Sequence, residues 1–552
     1  MRSVLPLTLF IISMAAFLGG CGESAASGSD LPSVPVDQRV PVSSERITNL
    51  EAPVPAQCYT RTEDRFNPCY TCHQLYDRQT DDRMNELDDG SLQGGYMFSE
   101  EGETNHWRNL FEDRNDWLAK ISDEQIVAYV NKENYTDLAG SLSRRDWAGF
   151  IPDLENYHLG AEAFDENGLA RDGSGWVAFN YKPFPGTFWP TNGSTDDVLI
   201  RLPKTFREDS GKPDDEVYLL NLSLLEMVIK QQERISIPPI DENTVKTDLD
   251  GNGELSSGVD TLVWRSHYMG DASDIGVAHQ QYPEGTEFMH SVRYVGVAED
   301  GGIHIPERMK ELRYMRKIRE IEPYDLKSRY ARERKDKNLG LLPEFVDHRE
   351  EGMENGLGWM LQGYIEDYDG ALRPQTHEET RFCMGCHSAV GVTIDQTFAF
   401  ARKVDGARGW GYIDTRGMPD APNISEPNGE ILNYLKRAGG GGSEFRENPE
   451  MVSRWYNDDG SVNEAKVRSA DVHTLISPSP ERALKLNKAY AHIVRHQSYI
   501  YGRDATWDPA RNVFKEVDES EPPLPRKFRF YHWDLRLDWS SAAGNKSIAE
   551  LK

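Results

Sequence analysis

Residues 69–73 read Cys-Tyr-Thr-Cys-His, and residues 383–387 read Cys-Met-Gly-Cys-His. Cys69, Cys72, Cys383 and Cys386 are four of the six cysteines in the 552-residue chain. Four readings compete: covalent attachment of c-type haem, a zinc site built from two thiol pairs, a redox dithiol, or coincidence. Two thiols three positions apart on one helical turn can each add to a haem vinyl group. The imidazole that follows then lies under the iron. A dithiol wants a βαβ setting and needs no histidine, and a structural zinc wants two closely spaced ligand pairs.

The compartment narrows the choice. Arg2 precedes an apolar run at residues 4–18, followed by Leu-Gly-Gly-Cys at 18–21. The run is too short and wrongly flanked for a membrane span and has the form of a secretory signal. Ending on Cys21, it resembles a bacterial lipobox. That resemblance implies a signal peptide over 1–20, cleavage before Cys21 and lipidation of that residue. Gly22 and Glu23 follow it; the lack of an Asp directly after the cysteine implies, by the same resemblance, the outer membrane of a Gram-negative cell. The expected location is the cell envelope, lipid-anchored and facing the periplasm or the surface. Residues 21–54, rich in Ser, Pro and Gly, read as a flexible stalk. No later stretch offers the ~18–20 apolar residues of a span, and the mean hydropathy is −0.65. The expected membrane contact is the lipid anchor only.

The net charge of −29 excludes nucleic acid and an anionic membrane face as partners, since both repel an acidic surface. The mature length suffices for several domains with real cores.

Behind a secretory signal, a histidine after both cysteine pairs favours haem. In these two motifs and the lipobox the chain resembles the bacterial dihaem c-type cytochromes. The resemblance covers a minor part of the sequence and names no subfamily. It implies two covalently bound haem c groups, on Cys69, Cys72 and His73 and on Cys383, Cys386 and His387, with His73 and His387 as proximal iron ligands. It also implies electron transfer between redox proteins at the envelope, without catalysis. The alternatives are a dihaem peroxidase or oxidase with one five-coordinate iron, and a haem-bearing subunit of a surface electron-transfer complex.

Function turns on the far side of each iron, because a filled sixth position suits electron transfer and an open one permits small-ligand chemistry. For the second haem, Met418 in the loop Asp-Thr-Arg-Gly-Met-Pro (414–419) resembles the distal methionine of small cytochromes c. Gly417 allows close backbone approach and Pro419 stiffens the loop. For the first, His106 is the candidate and Met97 the runner-up. His492 and His496 form an i,i+4 pair on a helix; they suit a metal or one distal ligand, against a polar helix face as the plainer reading. Asp248, Asp250 and Asn252, with Gly253 for the turn, form the first half of a calcium loop. Its twelfth position holds Val259, with Asp260 as a stand-in one residue on. Cys58 is left over.

These residues must be carried by elements, and the patterns predict a mainly α fold with long loops and a small β-hairpin region (α+β), with cytochrome-c-like haem-binding segments. The expected divisions are 55–165 for the first haem region, 166–360 for a mixed middle region with the calcium loop, 361–440 for the second haem region and 441–552 for a helical C-terminal region. Helical spacing marks 123–135, 215–232 and 479–500, the last capped by Ser479. Residues 173–203 read as strand-poor, 307–322 as a charged helix, and Asp300-Gly-Gly as a hairpin turn.

Overall fold

The computed structural model describes residues 31–42, 51–60, 71–72, 100–186, 189–337, 339–389, 392–439, 448–518, 520 and 534–540. Its centre is an antiparallel sheet of eight strands, which overturns the expectation of a mainly helical, cytochrome-c-like fold. The strands are β1 (Val177–Ala178), β2 (Thr195–Arg201), β3 (Glu287–Arg293), β4 (Met309–Lys317), β5 (Val346–Asp347), β6 (Met353–Glu354), β7 (Trp359–Glu366) and β8 (Leu372–Pro374). They run in the order β1-β2-β3-β4-β7-β6-β5, with β8 also paired to β7.

Two segments explain the miss. Residues 173–203 contribute β1 and β2, although Gly and Pro punctuate them. The supposed charged helix at 307–322 is β4, paired to β3 on one side and β7 on the other. Its Lys and Arg residues at helical spacing mislead because the fold pairs them instead. Lys310 reaches the carbonyl of Gly193, Arg313 reaches Glu311 and Lys317 reaches Asp395. Paired on both edges and covered on both faces, the segment is strand by context, which overrides propensity.

Alternation then assigns the two faces. Leu199, Met289, Leu312, Tyr314 and Tyr364 enter one core. Val198, Ile200, Phe288, Met315 and Leu361 enter a second, larger one. That larger core also takes the apolar residues of helix α2 (Asp215–Lys230), in which every residue from Val217 to Lys230 is buried. The expected helices at 123–135 and 479–500 form as α1 (Asp123–Val130), closed by a Ser122/Gln125 capping box, and α6 (Pro480–His496), capped by Ser479. Between them in sequence lie α3 (Pro323–Lys337), α4 (His377–Thr380) and α5 (Val472–Ile476). The Asp300-Gly-Gly turn closes a hairpin that pairs Gly296 with His304. Among the described residues no helix is long and apolar enough to cross a membrane.

Candidate functional site

The second cysteine motif follows α4 directly. A Thr376/Glu379 capping box starts that helix, and the chain tightens into a 3₁₀ turn over Arg381–Cys383. The amide of His387 donates to the carbonyl of Cys383 at 3.0 Å, and that of Cys386 to the same oxygen at 3.2 Å. Cys383, Cys386 and His387 therefore occupy one helical turn, as the spacing requires. Gly385 permits a close approach: a Cβ there would lie 2.9 Å from the carbonyl oxygen of Pro53.

His387 is held in one orientation. Its carbonyl accepts from Asn355 Nδ2 at 2.9 Å, Phe398 meets the ring edge-on, and its Nδ1 lies 2.9 Å from the carbonyl of Gln396. A carbonyl only accepts, so Nδ1 carries the proton and Nε2 keeps its lone pair. Burial, and then the charges of Arg313 and His290, pull this imidazole down to about 4, so it is neutral at physiological pH. A ring whose far nitrogen is fixed by a carbonyl is the usual arrangement of a metal-ligating histidine.

The turn that presents this carbonyl is strained. Ile394 and Thr397 exchange backbone hydrogen bonds, while Asp395 and Gln396 have φ of 46° and 58°. Two consecutive left-handed residues make a turn of I′ character, which normally uses Asn and Gly. Tertiary contacts hold it. Lys317 binds both carboxylate oxygens of Asp395 at 2.5 and 2.6 Å, with both side chains buried. Gln396 Nε2 donates to the Tyr330 hydroxyl at 2.7 Å, and Thr397 meets Tyr282.

The motif lies over the sheet face shared by His290, Arg313 and Glu311: Arg503 ties Glu311 to α4, and the charges of Arg313 and His290 act on His387. Cys386 is accessible to solvent, yet burial in the surrounding protein pushes its thiol up to about 11. The Cys383 thiol is likewise pushed up by burial, with Arg313, Arg503 and Glu311 acting on it. Arg503 bridges the two layers, bonding Glu311 at 2.7 Å and the carbonyl of Glu379 in α4. Glu311 also holds Arg313 and Gln375. Burial pushes its carboxyl up, but Arg313 and Arg503 outweigh that and hold it at about 2. The hydroxyl of Tyr490, which senses the same three charges, is buried with no hydrogen-bond partner among the described residues. Two free thiols and a neutral imidazole with an open Nε2 on one helical turn are the donor set that a group held by thioether and imidazole requires.

Of the first motif only Thr71 and Cys72 are described; Cys69 and His73 lie outside the described residues, as do Cys21 and Met97. The position of Cys72 is informative, because its carbonyl accepts from the amide of Val392 at 3.2 Å. Val392, five residues beyond the second motif, thus reaches Cys72 of the first. His106 joins the same region. Its neighbour Trp107 meets Phe382 edge-on at 5.1 Å and donates to the carbonyl of Val54. Cys58 packs at the edge of that cluster, with Val54, Leu110 and Val513.

Met418 is 4% exposed within the large core, in a loop whose carbonyl accepts from Val472 of α5 and whose amide donates to Thr415. No hydrogen bond among the described residues links that loop to His387. His492 and His496 stack at 3.9 Å beside Trp117. Arg114 takes the Nδ1 lone pair of His492, and His496 Nδ1 is 2.8 Å from the His492 carbonyl. Burial, then Arg114, pull His492 down to about 3. The pair is a neutral, packed face of α6.

Glu242, which lies outside the loop expected to take calcium, joins Asp248 and Asp250: their carboxylate oxygens lie within 4.8 Å of one another, the one group of three among the described residues with the spacing to hold a metal ion. Asp248 accepts the amides of Gly251 and Gly253, and Asp250 binds Asn252 through backbone and side chain. Glu242 accepts the amides of Leu249 and Ser256. Asp260, the expected stand-in, bonds only its neighbour Thr261.

The residues that spacing did not find are His290, Asn355, Gln396 and the Lys317–Asp395 pair. Period-two alternation in 287–293 puts His290 on the face of Phe288 and Val292. That face acquires meaning only once Cys383–His387 lies across it.

A family model described as a "-like lipoprotein" matches residues 41–471. An "Uncharacterized lipoprotein" of Aquifex aeolicus (strain VF5) is 31% identical over 531 residues, covering 84% of this chain and 87% of that protein. No solved structure matches.

Proposed function

Because the chain belongs to this lipoprotein family, we propose that it is tethered by lipid on Cys21 and relays electrons through two covalently attached haems lying side by side. The observation that carries this reading is the state of His387. Its Nδ1 is pinned to the Gln396 carbonyl and its Nε2 is left open, on a helical turn that also carries two free thiols. A redox dithiol has no use for an imidazole held in this way.

Haem iron, when bound, supplies one reversible electron per centre, at a potential set by axial ligands and surroundings. The chain's own residues do the rest. The strained turn at Asp395 and Gln396 fixes the ring and tautomer of His387. Glu311, Arg313 and Arg503 hold fixed charge beside Cys383, which tunes whatever charge develops there. The bond between Cys72 and Val392 keeps the two attachment points adjacent, as rapid transfer between cofactors requires. Partners are redox proteins that donate and accept electrons at the envelope, on the outer membrane by the lipobox reading. The loop of Glu242, Asp248 and Asp250 takes Ca²⁺ as a structural ion, its hard oxygens suiting that cation.

Intact mass tests the reading. The mature protein, purified from envelope, should exceed its acylated polypeptide by two haems, and Cys383→Ala/Cys386→Ala should lower the excess by one. A mass with no haem refutes it. Haem without reduction and reoxidation by small redox mediators refutes the relay.

A further inference from the structure

Resting on the haem reading, we propose that His290 is the second axial ligand of the haem held by Cys383, Cys386 and His387. The argument starts from register. His290 on β3 stands opposite Val198 on β2 and Arg313 on β4, and Arg313 stands opposite Gly363 on β7. Cross-strand partners point to the same side, so His290 shares the face that Arg313 and Glu311 present to Cys383. These strands are central, with neighbours on both edges. Even so, the Arg313 and His290 side chains are 29% and 20% exposed. The space they open into is therefore on the face that carries the cysteine turn. Cys386, on the turn laid over that face, is exposed as well.

The imidazole itself is spare. It makes no hydrogen bond among the described residues, and its buried Nε2 lies 3.4 Å from the Asp196 carboxylate. Asp196 is fixed in turn by the Tyr181 hydroxyl at 2.9 Å. A carboxylate behind an imidazole is the arrangement that orients a ligating histidine and raises its basicity. One edge of the ring thus has its orienting partner, and the other edge has none. A half-turn of the ring about Cβ–Cγ exchanges Nδ1 with Cδ2 and Nε2 with Cε1. Nδ1 then lies on the Asp196 side of the ring and Nε2 on the opposite side.

The other candidates are otherwise engaged. Arg114 occupies His492, Met418 sits in a loop tied to α5, and His377 lies against Asp347. His290 approaches from the sheet, whereas His387 approaches from the turn laid over it. Two ligands on opposing layers are what a flat macrocycle between them needs.

The test uses the full-length protein purified from envelope. In the wild type both irons should be low-spin by EPR. His290→Gly should retain two haems by mass while one iron becomes high-spin, and added imidazole should restore the low-spin signal. A variant with two haems and two low-spin irons overturns the proposal. So does a wild type with a high-spin iron already present, or a high-spin signal that imidazole does not reverse. If His290→Gly fails to accumulate, His290→Met decides: it should keep two low-spin haems and raise one midpoint potential, since methionine in place of histidine raises it. An unmoved potential overturns the assignment. Absence of haem from the wild type refutes the haem reading itself and is told apart by mass alone.

Discussion

Glu311→Gln probes the charge cluster beneath the cysteine turn. The carboxylate is 2% exposed and accepts from Arg313 at 3.0 Å, Arg503 at 2.7 Å and Gln375 at 3.2 Å. Glutamine keeps the shape and removes the charge, leaving two guanidinium groups facing one another. A carboxyl that titrates ordinarily at 4.5 and is held here at about 2 contributes about 3 kcal/mol at pH 7 by linkage. The sign follows from the depressed folded value. The contribution is complete above pH 4.5 and disappears as pH falls toward 2; about half remains at pH 3. Urea unfolding of wild type and variant at pH 7 and pH 3 measures it. The variant should lose about 3 kcal/mol at the higher pH and about 1.5 at the lower. Equal losses at the two pH values, or a loss below about 1 kcal/mol at pH 7, would refute the reasoning. The Arg503 bridge to Glu379 would then be held by geometry and not by charge.

Asp395→Ala leaves Lys317 buried without its carboxylate and should cost about 3–5 kcal/mol in chemical unfolding. The same change frees the left-handed turn, so the electronic spectrum of any group bound through His387 should shift. His492→Gln should make the protein less acid-labile. His492 is held neutral in the fold, so the unfolded chain takes up its proton first as pH drops below 6.5, and wild-type stability falls from there toward pH 3. Thermal midpoints at pH 7 and pH 4.5 should converge more for the variant than for the wild type. Calcium at 100 times its dissociation constant should add about 2.7 kcal/mol to wild-type stability and nothing to Asp250→Asn, read as the shift in unfolding midpoint on adding EGTA.

Sequence alone determined what is local. The turn from Cys383 to His387 closes through an amide of one residue and a carbonyl four positions back, so the pentapeptide contains its own instructions. The same holds for Ser479 capping α6, the fully buried α2, and the Asp300-Gly-Gly hairpin, whose partners lie a few positions apart. Family membership was likewise foreshadowed by the lipobox at Cys21. Tertiary structure decided everything that depends on distant register. The charges of 307–322 have helical spacing, and only pairing with Glu287–Arg293 and Trp359–Glu366 makes that stretch a strand. Glu242 joins Asp248 and Asp250 because the short helix it opens, Glu242–Val245, packs beside their loop. The amide of Val392 reaches Cys72 across hundreds of residues, and His290 shares a sheet face with Arg313, whose charge acts on Cys383. Such contacts follow from which face of which strand is buried, a property of the assembled sheet that no window of sequence contains.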